Sequence, residues 1–382
     1  MNAQTQAPTI FSRPDTLGVS WADGSVDEFA SIWLYDNAPA HRDPHSGQRL
    51  VDIADLPEQP RIRAAAVQNG RIRVEWEGSA EGVWFHLPWL AAQRDRRAYR
   101  PEFEARRWLD GADREAGRDF ARASLEQVQS DRHLRSGWLT RLLQDGMAFL
   151  SGVPAAEDAL LASMQLVGQV AETNYGRVFD VRSVPQPENL AYSDLGLGLH
   201  TDNPYRDPVP GFQALHVLIA SPDGGESLFA DGFALAEHLR DLDPEAFALL
   251  ARTPVPFHYR SQNAELFAER PLIELSCRDE VCAVHYNSRS IAPLRLAPLE
   301  AAPFYAAYRR FAAVLREPRF QLKLHLPQGE IVVFDNQRIL HGRTAFSSAR
   351  HARHLRGCYL TRDSVYSGAA LLRRELASGG TP

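Results

Sequence analysis

Lysine is almost missing: Lys323 is the single one among 42 basic residues, and the other 41 are arginine. Schiff-base chemistry and a phosphate-binding P-loop lysine therefore have one candidate position, and no GxxxxGK surrounds it. Cysteine is scarce too. Cys277, Cys282 and Cys358 cannot build a disulfide framework and show no CxxC spacing, which suits a reducing compartment. No run approaches the ~18 consecutive apolar residues of a membrane span, and the opening MNAQTQAPTIFSRPD has neither a basic start nor an apolar stretch. Excess positive charge is also lacking. With 42 basic against 48 acidic residues the formal charge is −6, which argues against general nucleic-acid or membrane-surface binding. These absences predict a soluble, cytoplasmic protein.

What is present is core material: 382 residues, 44% of them apolar and 9% aromatic, with 13 histidines as the natural metal ligands. Residues 18 to about 90 read as short strands and turns, for instance Ile72-Arg-Val-Glu-Trp76 ahead of Glu77-Gly78. A small β-rich domain is expected over 1–95 and a larger one over 96–382, joined through an arginine-rich polar stretch. Helical periodicity occupies about 120–146 and 156–173. Strands are expected at 178–184, 212–220, 226–229, 281–286 and 331–334, interrupted by one long helix at about 299–317. The fold class is mainly β with flanking helices, a sandwich or barrel.

The chemistry concentrates in a few segments. His200 and Asp202 are two apart, so an extended strand would present both on one face. Residues 331–343, IVVFDNQRILHGR, read as a buried strand, a turn and then His341, with Arg353 twelve residues further on. Two histidines and a carboxylate form the facial triad of non-haem Fe(II) oxygenases, which leaves positions open for cosubstrate and O2. An arginine nearby suits the free carboxylate of 2-oxoglutarate.

The segments HTDNPYRDPVPGFQALHVL, GGESLFADGF, FDNQRILHGR and ARHLRGCY, with WADGSVDEFASIWLYDN near the start, resemble those of the γ-butyrobetaine and trimethyllysine dioxygenases. These belong to the wider taurine-dioxygenase-like superfamily. The resemblance implies a double-stranded β-helix (jelly-roll) core after a small N-terminal β-domain. It implies Fe(II) on His200, Asp202 and His341, and 2-oxoglutarate on Arg353 and Ser227. O2 would be the other cosubstrate and ascorbate a supporting reductant. It also implies a trimethylammonium cage at Tyr175, Phe179, Tyr192 and Tyr359, since such a group has no N–H and is held by aromatic faces. Asn189 and Asn287 match positions that contact the substrate's anionic end.

Three features depart from the family pattern. Phe179 stands where relatives commonly carry tryptophan. No cysteine precedes position 277, so the N-terminal cluster of three Cys and one His is missing and a zinc-free domain is expected, with His41 and His45 facing solvent. Arg289 lies in Tyr286-Asn-Ser-Arg-Ser290 beside Asn287, a set better suited to a phosphonate than to a carboxylate. The expected substrate is 2-(trimethylammonio)ethylphosphonate, with γ-butyrobetaine as the alternative. A non-catalytic quaternary-ammonium binder is a further alternative, and family analogy suggests a homodimer.

Overall fold

The computed structural model describes residues 8–94, 103–110, 119–182, 195–346 and 353–379. Its contacts divide the chain into two units, Met1–Arg100 and Pro101–Pro382. The first holds β1 (Thr9–Arg13), β2 (Thr16–Ser20), β3 (Val26–Ala30), α1 (Ser31–Asp36), β4 (Ile62–Gln68), β5 (Arg71–Trp76), β6 (Val83–His86) and α2 (Leu87–Ala92). They form two three-stranded sheets, β1-β2-β3 and β4-β5-β6. In β5, Ile72, Val74 and Trp76 alternate with Arg71, Arg73 and Glu75, and the apolar set joins Leu17, Val19 and Phe85 in one core. His41 is not solvent-facing as expected: it is half-buried, its ring 5.3 Å from that of Tyr35.

The second unit begins with β7 (Ala121–Ser124), α3 (Leu125–Ser130), α4 (Arg132–Asp145), β8 (Met147–Ser151), α5 (Ala159–Met164), β9 (Val170–Ala171) and β10 (Phe179–Arg182). Next come β11 (Leu197–His200), β12 (Phe212–Ile219), β13 (Ser227–Asp231), α6 (Gly232–Leu242) and α7 (Pro244–Arg252). Two hairpins follow, β14 (Val255–Arg260) with β15 (Glu265–Arg270), and β16 (Ile273–Leu275) with β17 (Val281–Val284). The chain closes with α8 (Pro298–Leu315), β18 (Leu322–Leu324), β19 (Ile331–Asp335), β20 (Ile339–Arg343), β21 (His354–Leu360) and α9 (Arg362–Ala377).

Two sheets make the sandwich expected from the sequence. The major one runs β10-β21-β12-β19-β8-β7, with β9 added to β21; the minor one runs β11-β20-β13-β18. Strand alternation assigns the layers. On β12 and β19, Phe212, Ala214, Ile331 and Val333 pack outward with residues of α4 and α9 such as Leu139 and Val365. Val217, Val332 and Phe334 pack inward with Phe229 and Ile339 of the minor sheet. Covering both faces explains why β19 reads as an unbroken apolar run, IVVF.

Several expected elements differ in extent. The predicted helix over 120–146 opens with a strand, β7, because Ser124 is the N-cap of α3 and forms a capping box with Gln127. The helix expected over 156–173 shortens to α5. There the Val167 and Gly168 N–H groups fold back on the Met164 carbonyl. Gly168 also packs so closely that a Cβ would lie 2.7 Å from Val365. Helices α6, α7 and α9 accompany the single long helix expected. The signals for two of them are local: Asp231 caps α6, and Asp243 caps α7 with Pro244 in its first turn.

Candidate metal centre and cleft

Strand pairing brings the two histidines together. β11 and β20 are antiparallel with His200 opposite His341, and the ring centroids lie 4.4 Å apart. Gly342 permits this approach, because a Cβ there would sit 2.4 Å from the Leu197 carbonyl oxygen. His200 ends its strand, so Asp202 stands beyond it rather than on a continuous extended segment. Asn336, in the turn between β19 and β20, holds it there: its side chain accepts from the Asp202 N–H at 2.7 Å and donates to the Asp202 carbonyl at 3.0 Å. The Asp202 carboxylate then lies 3.3 Å from Nε2 of His200 and 3.7 Å from Nε2 of His341. One donor atom of each residue falls within 4.8 Å of the other two.

These donors are in the state a divalent metal requires. Burial, with His341 beside it, lowers His200 to about 4, so its imidazole is neutral at pH 7. Nδ1 of His200 lies 2.9 Å from the Gly198 carbonyl oxygen, which can only accept, so the ring proton sits there and Nε2 offers its lone pair. Burial works to raise the Asp202 carboxyl, but His341 and His200 outweigh it and hold it well below the usual carboxylate range. Imidazole, carboxylate and imidazole with one side left open fit a non-haem Fe(II).

The trio opens into a cleft of about 780 Å³, mouth included, whose walls also hold Ser227, Arg353, Tyr175, Phe179 and Tyr359. Arg353 is 8% exposed. Its Nε donates to the Gly225 carbonyl at 3.1 Å, its one hydrogen bond among the described residues. Burial and the neighbouring Arg343 lower its guanidinium to about 10. A buried guanidinium on the cleft wall with no ion pair among the described residues favours an anion beside it. Ser227, buried on β13 opposite Arg343, faces the same space.

Phe179 packs 5.0 Å from Tyr359 and 6.5 Å from Tyr175, ring to ring. Asn189 and Tyr192 lie outside the described residues. Asn287 is not among the cleft walls: it is buried, and its amide donates to the Thr201 carbonyl at 3.0 Å, bracing the segment between the two ligands. Arg289 is exposed by area, yet burial of its guanidinium lowers it, against the pull of Asp202 and Tyr205. Like Asn287 it is not among the cleft walls, though its charge contributes to lowering His200.

Sequence reasoning missed several residues here. Tyr205 and Tyr259 stack at 5.0 Å, and Tyr259 lies 6.1 Å from Tyr175, extending the aromatic group. Tyr205, three residues after Asp202, was within reach of a sequence argument; Tyr259, on a distant hairpin, was not. Gln213, 2% exposed on β12, lines the cleft with its Oε1 unpartnered.

A β-sandwich with this trio beside a buried arginine defines a dioxygenase of the Fe(II)- and 2-oxoglutarate-dependent class. The chain belongs to the taurine catabolism dioxygenase TauD, TfdA family, whose profile matches residues 110–359. It is 34% identical to a γ-butyrobetaine dioxygenase of Pseudomonas sp. (strain AK-1), over 94% of each chain. It is 26% identical to a trimethyllysine dioxygenase of Meyerozyma guilliermondii, again over 94% of each. A solved taurine dioxygenase from Burkholderia xenovorans superposes with a TM-score of 0.47 at 16% identity, covering 63% of this chain and 87% of that one. The reading as a non-catalytic binder is thereby set aside. Among the described residues no helix is long and apolar enough to cross a membrane.

Proposed function

We propose that the protein hydroxylates a small trimethylammonium zwitterion, 2-(trimethylammonio)ethylphosphonate in the first instance, at the carbon next to phosphorus. His200, Asp202 and His341 would hold the iron, and Arg353 with Ser227 the 2-oxoglutarate. When bound, iron and 2-oxoglutarate supply the oxidising chemistry, in which one atom of O2 enters succinate as CO2 leaves and the other enters the product alcohol. The protein's residues orient and exclude. Tyr175, Phe179 and Tyr359 would take the methylated head, each face contributing roughly 0.5–2 kcal/mol according to its desolvation. Tyr192 and Asn189 belong to the same proposal from the sequence. Asn287 acts in it through the Thr201 carbonyl it braces.

The observation that carries the phosphonate tail is Arg289, a guanidinium within electrostatic reach of the metal trio and without an ion pair among the described residues. A phosphonate offers three oxygens and up to two charges to such a group. A specific observation favours γ-butyrobetaine as the second reading, namely the 34% identity to a γ-butyrobetaine dioxygenase over 94% of the chain. Succinate release across the phosphonate, γ-butyrobetaine, trimethyllysine and taurine separates them. Arg289→Ala should cost the phosphonate about 10- to 150-fold in kcat/KM, from ~1.5–3 kcal/mol for a hydrogen bond to a charged group, and γ-butyrobetaine less. Wild-type preference for γ-butyrobetaine, or equal losses on both, selects the second reading. A cytoplasmic homodimer completes the proposal; fractionation and sedimentation in solution test it.

A further inference from the structure

We infer that Asn203 is a positioning residue that aims the Tyr359 hydroxyl proton at the Asp202 carboxylate and so restrains how that carboxylate meets the metal. The inference rests on the metal reading of His200, Asp202 and His341. The observation is a row of hydrogen bonds that starts at the trio and runs to the aromatic wall. Tyr359 lies 2.9 Å from Oδ2 of Asp202, Asn203 Nδ2 lies 3.1 Å from the Tyr359 oxygen, and the Tyr205 oxygen lies 2.6 Å from Asn203 Oδ1. Tyr175 follows, its hydroxyl 3.4 Å from that of Tyr205.

Donor and acceptor counting fixes the direction of every proton in the row. An ionised carboxylate can only accept, so Tyr359 must donate to Asp202. The Tyr359 oxygen then has lone pairs alone to offer its other neighbour, which must be a donor, and that sets the Asn203 amide with nitrogen towards Tyr359. The Asn203 oxygen faces Tyr205 and takes its proton. Flipping the amide would place two acceptors against each other and turn the Tyr359 proton away from the ligand. The side chains concerned are secluded: Asn203, Tyr205 and Tyr359 are 6%, 5% and 4% exposed. Water is therefore a poor replacement for any member.

The backbone at this point supports the same role. Asn203 has φ +53°, the left-handed region that a non-glycine residue other than asparagine or aspartate seldom enters. That bend falls immediately after Asp202, in the residue whose amide meets Tyr359 and Tyr205. With Oδ2 held by the phenol, Oδ1 is the oxygen left free for the metal. Partners that orient a ligand in this way typically change metal affinity by about 10- to 100-fold when removed.

The test is a Co(II) titration of the full-length, metal-depleted protein, followed by the visible absorption of the bound ion and by calorimetry. Wild type, Asn203→Gly, Asn203→Asp, Tyr359→Phe and the double variant Asn203→Gly/Tyr359→Phe are compared. Glycine accepts the φ at 203, so Asn203→Gly removes only the side chain; Asn203→Asp keeps the acceptor for Tyr205 and loses the donor to Tyr359. Each single variant should weaken Co(II) about 10- to 100-fold and shift its spectrum. The double variant should match Tyr359→Phe within about twofold, because Asn203 acts only through that hydroxyl. Wild-type affinity and spectrum in both Asn203 variants, or losses that multiply in the double variant, overturn the inference. Failure of wild type to bind Co(II) would instead overturn the metal reading beneath it. Unfolding midpoints of the metal-free variants identify any that do not fold; if Asn203→Gly is one, Asn203→Asp and the double variant Asn203→Asp/Tyr359→Phe take its place under the same criteria.

Discussion

If Arg353 holds 2-oxoglutarate as proposed, replacing it by alanine isolates the cosubstrate end of the cleft from the His200, Asp202 and His341 end. The guanidinium is 8% exposed and makes one hydrogen bond among the described residues, from Nε to the Gly225 carbonyl at 3.1 Å. Among the described residues the side chain is therefore anchored by one nitrogen, with the rest of the fork available to a carboxylate. Truncating one partner of a buried, hydrogen-bonded charge pair costs about 2–5 kcal/mol. Arg343, close enough to depress Arg353, remains to offset part of the loss. The lower part of the range, about 2–4 kcal/mol, is therefore expected, or about 30- to 700-fold at ~1.4 kcal/mol per decade. Because the distal carboxylate does not react, its binding is equal in ground and transition states, so the change belongs in KM for 2-oxoglutarate and not in kcat at saturation. Initial rates of succinate formation over a wide 2-oxoglutarate range measure both. Arg353→Lys should fall between, keeping the charge and losing the fork. An unchanged KM, or a loss confined to kcat, would refute the assignment and move the cosubstrate to another cation.

His200→Ala and Asp202→Ala should each abolish succinate formation and stoichiometric Fe(II) binding while the circular dichroism stays native; turnover near wild type under limiting iron would remove the trio. Metal analysis of protein purified without chelators should find no stoichiometric zinc, and one tightly held zinc per chain would overturn the reading of His41 and His45. Metal-free protein should lose stability in acid. His200 has a native value of about 4 against an ordinary 6.5, so between those values the unfolded chain binds more protons and stability falls as pH drops. From pH 7 to 5 the loss from this group is about 2 kcal/mol, read from urea midpoints. A slope unchanged in His200→Gln would contradict it.

The metal trio was legible because each ligand stands in a segment whose type the sequence states: a glycine-rich strand before His200 and a buried strand with a turn before His341. Arg353 was singled out for a chemical reason, the need for a cation beside a dicarboxylate, and it does line the same cleft as the trio. What escaped depends on residues far apart in the chain. Asn336 meets Asp202 across 134 positions, and no local pattern announces it. Asn287 was expected at the substrate from the family resemblance alone, and its amide donates to the Thr201 carbonyl, a contact 86 positions away that no local pattern announces. Helices α6 and α7 were missed although Asp231 and Asp243-Pro244 mark their starts, because no element was assigned between the strands at 226–229 and 281–286.

Asn336 belongs to the hairpin that carries the chain from the major sheet to the minor one, and it is also the clamp on Asp202. The gap between the layers and the reach of the carboxylate are thus set by the same few backbone atoms. Phe334, two residues earlier, is a spacer in that gap, packed on Phe229 at 5.7 Å and on the His341 ring at 4.8 Å. Thinning the filling there would tilt one ligand-bearing layer against the other, as removing a shim changes the setting of a hinge. The spacing of His200, Asp202 and His341 is in this sense a property of the hydrophobic interior, and enlarging or shrinking Phe334 is a way to retune it without replacing any of the three.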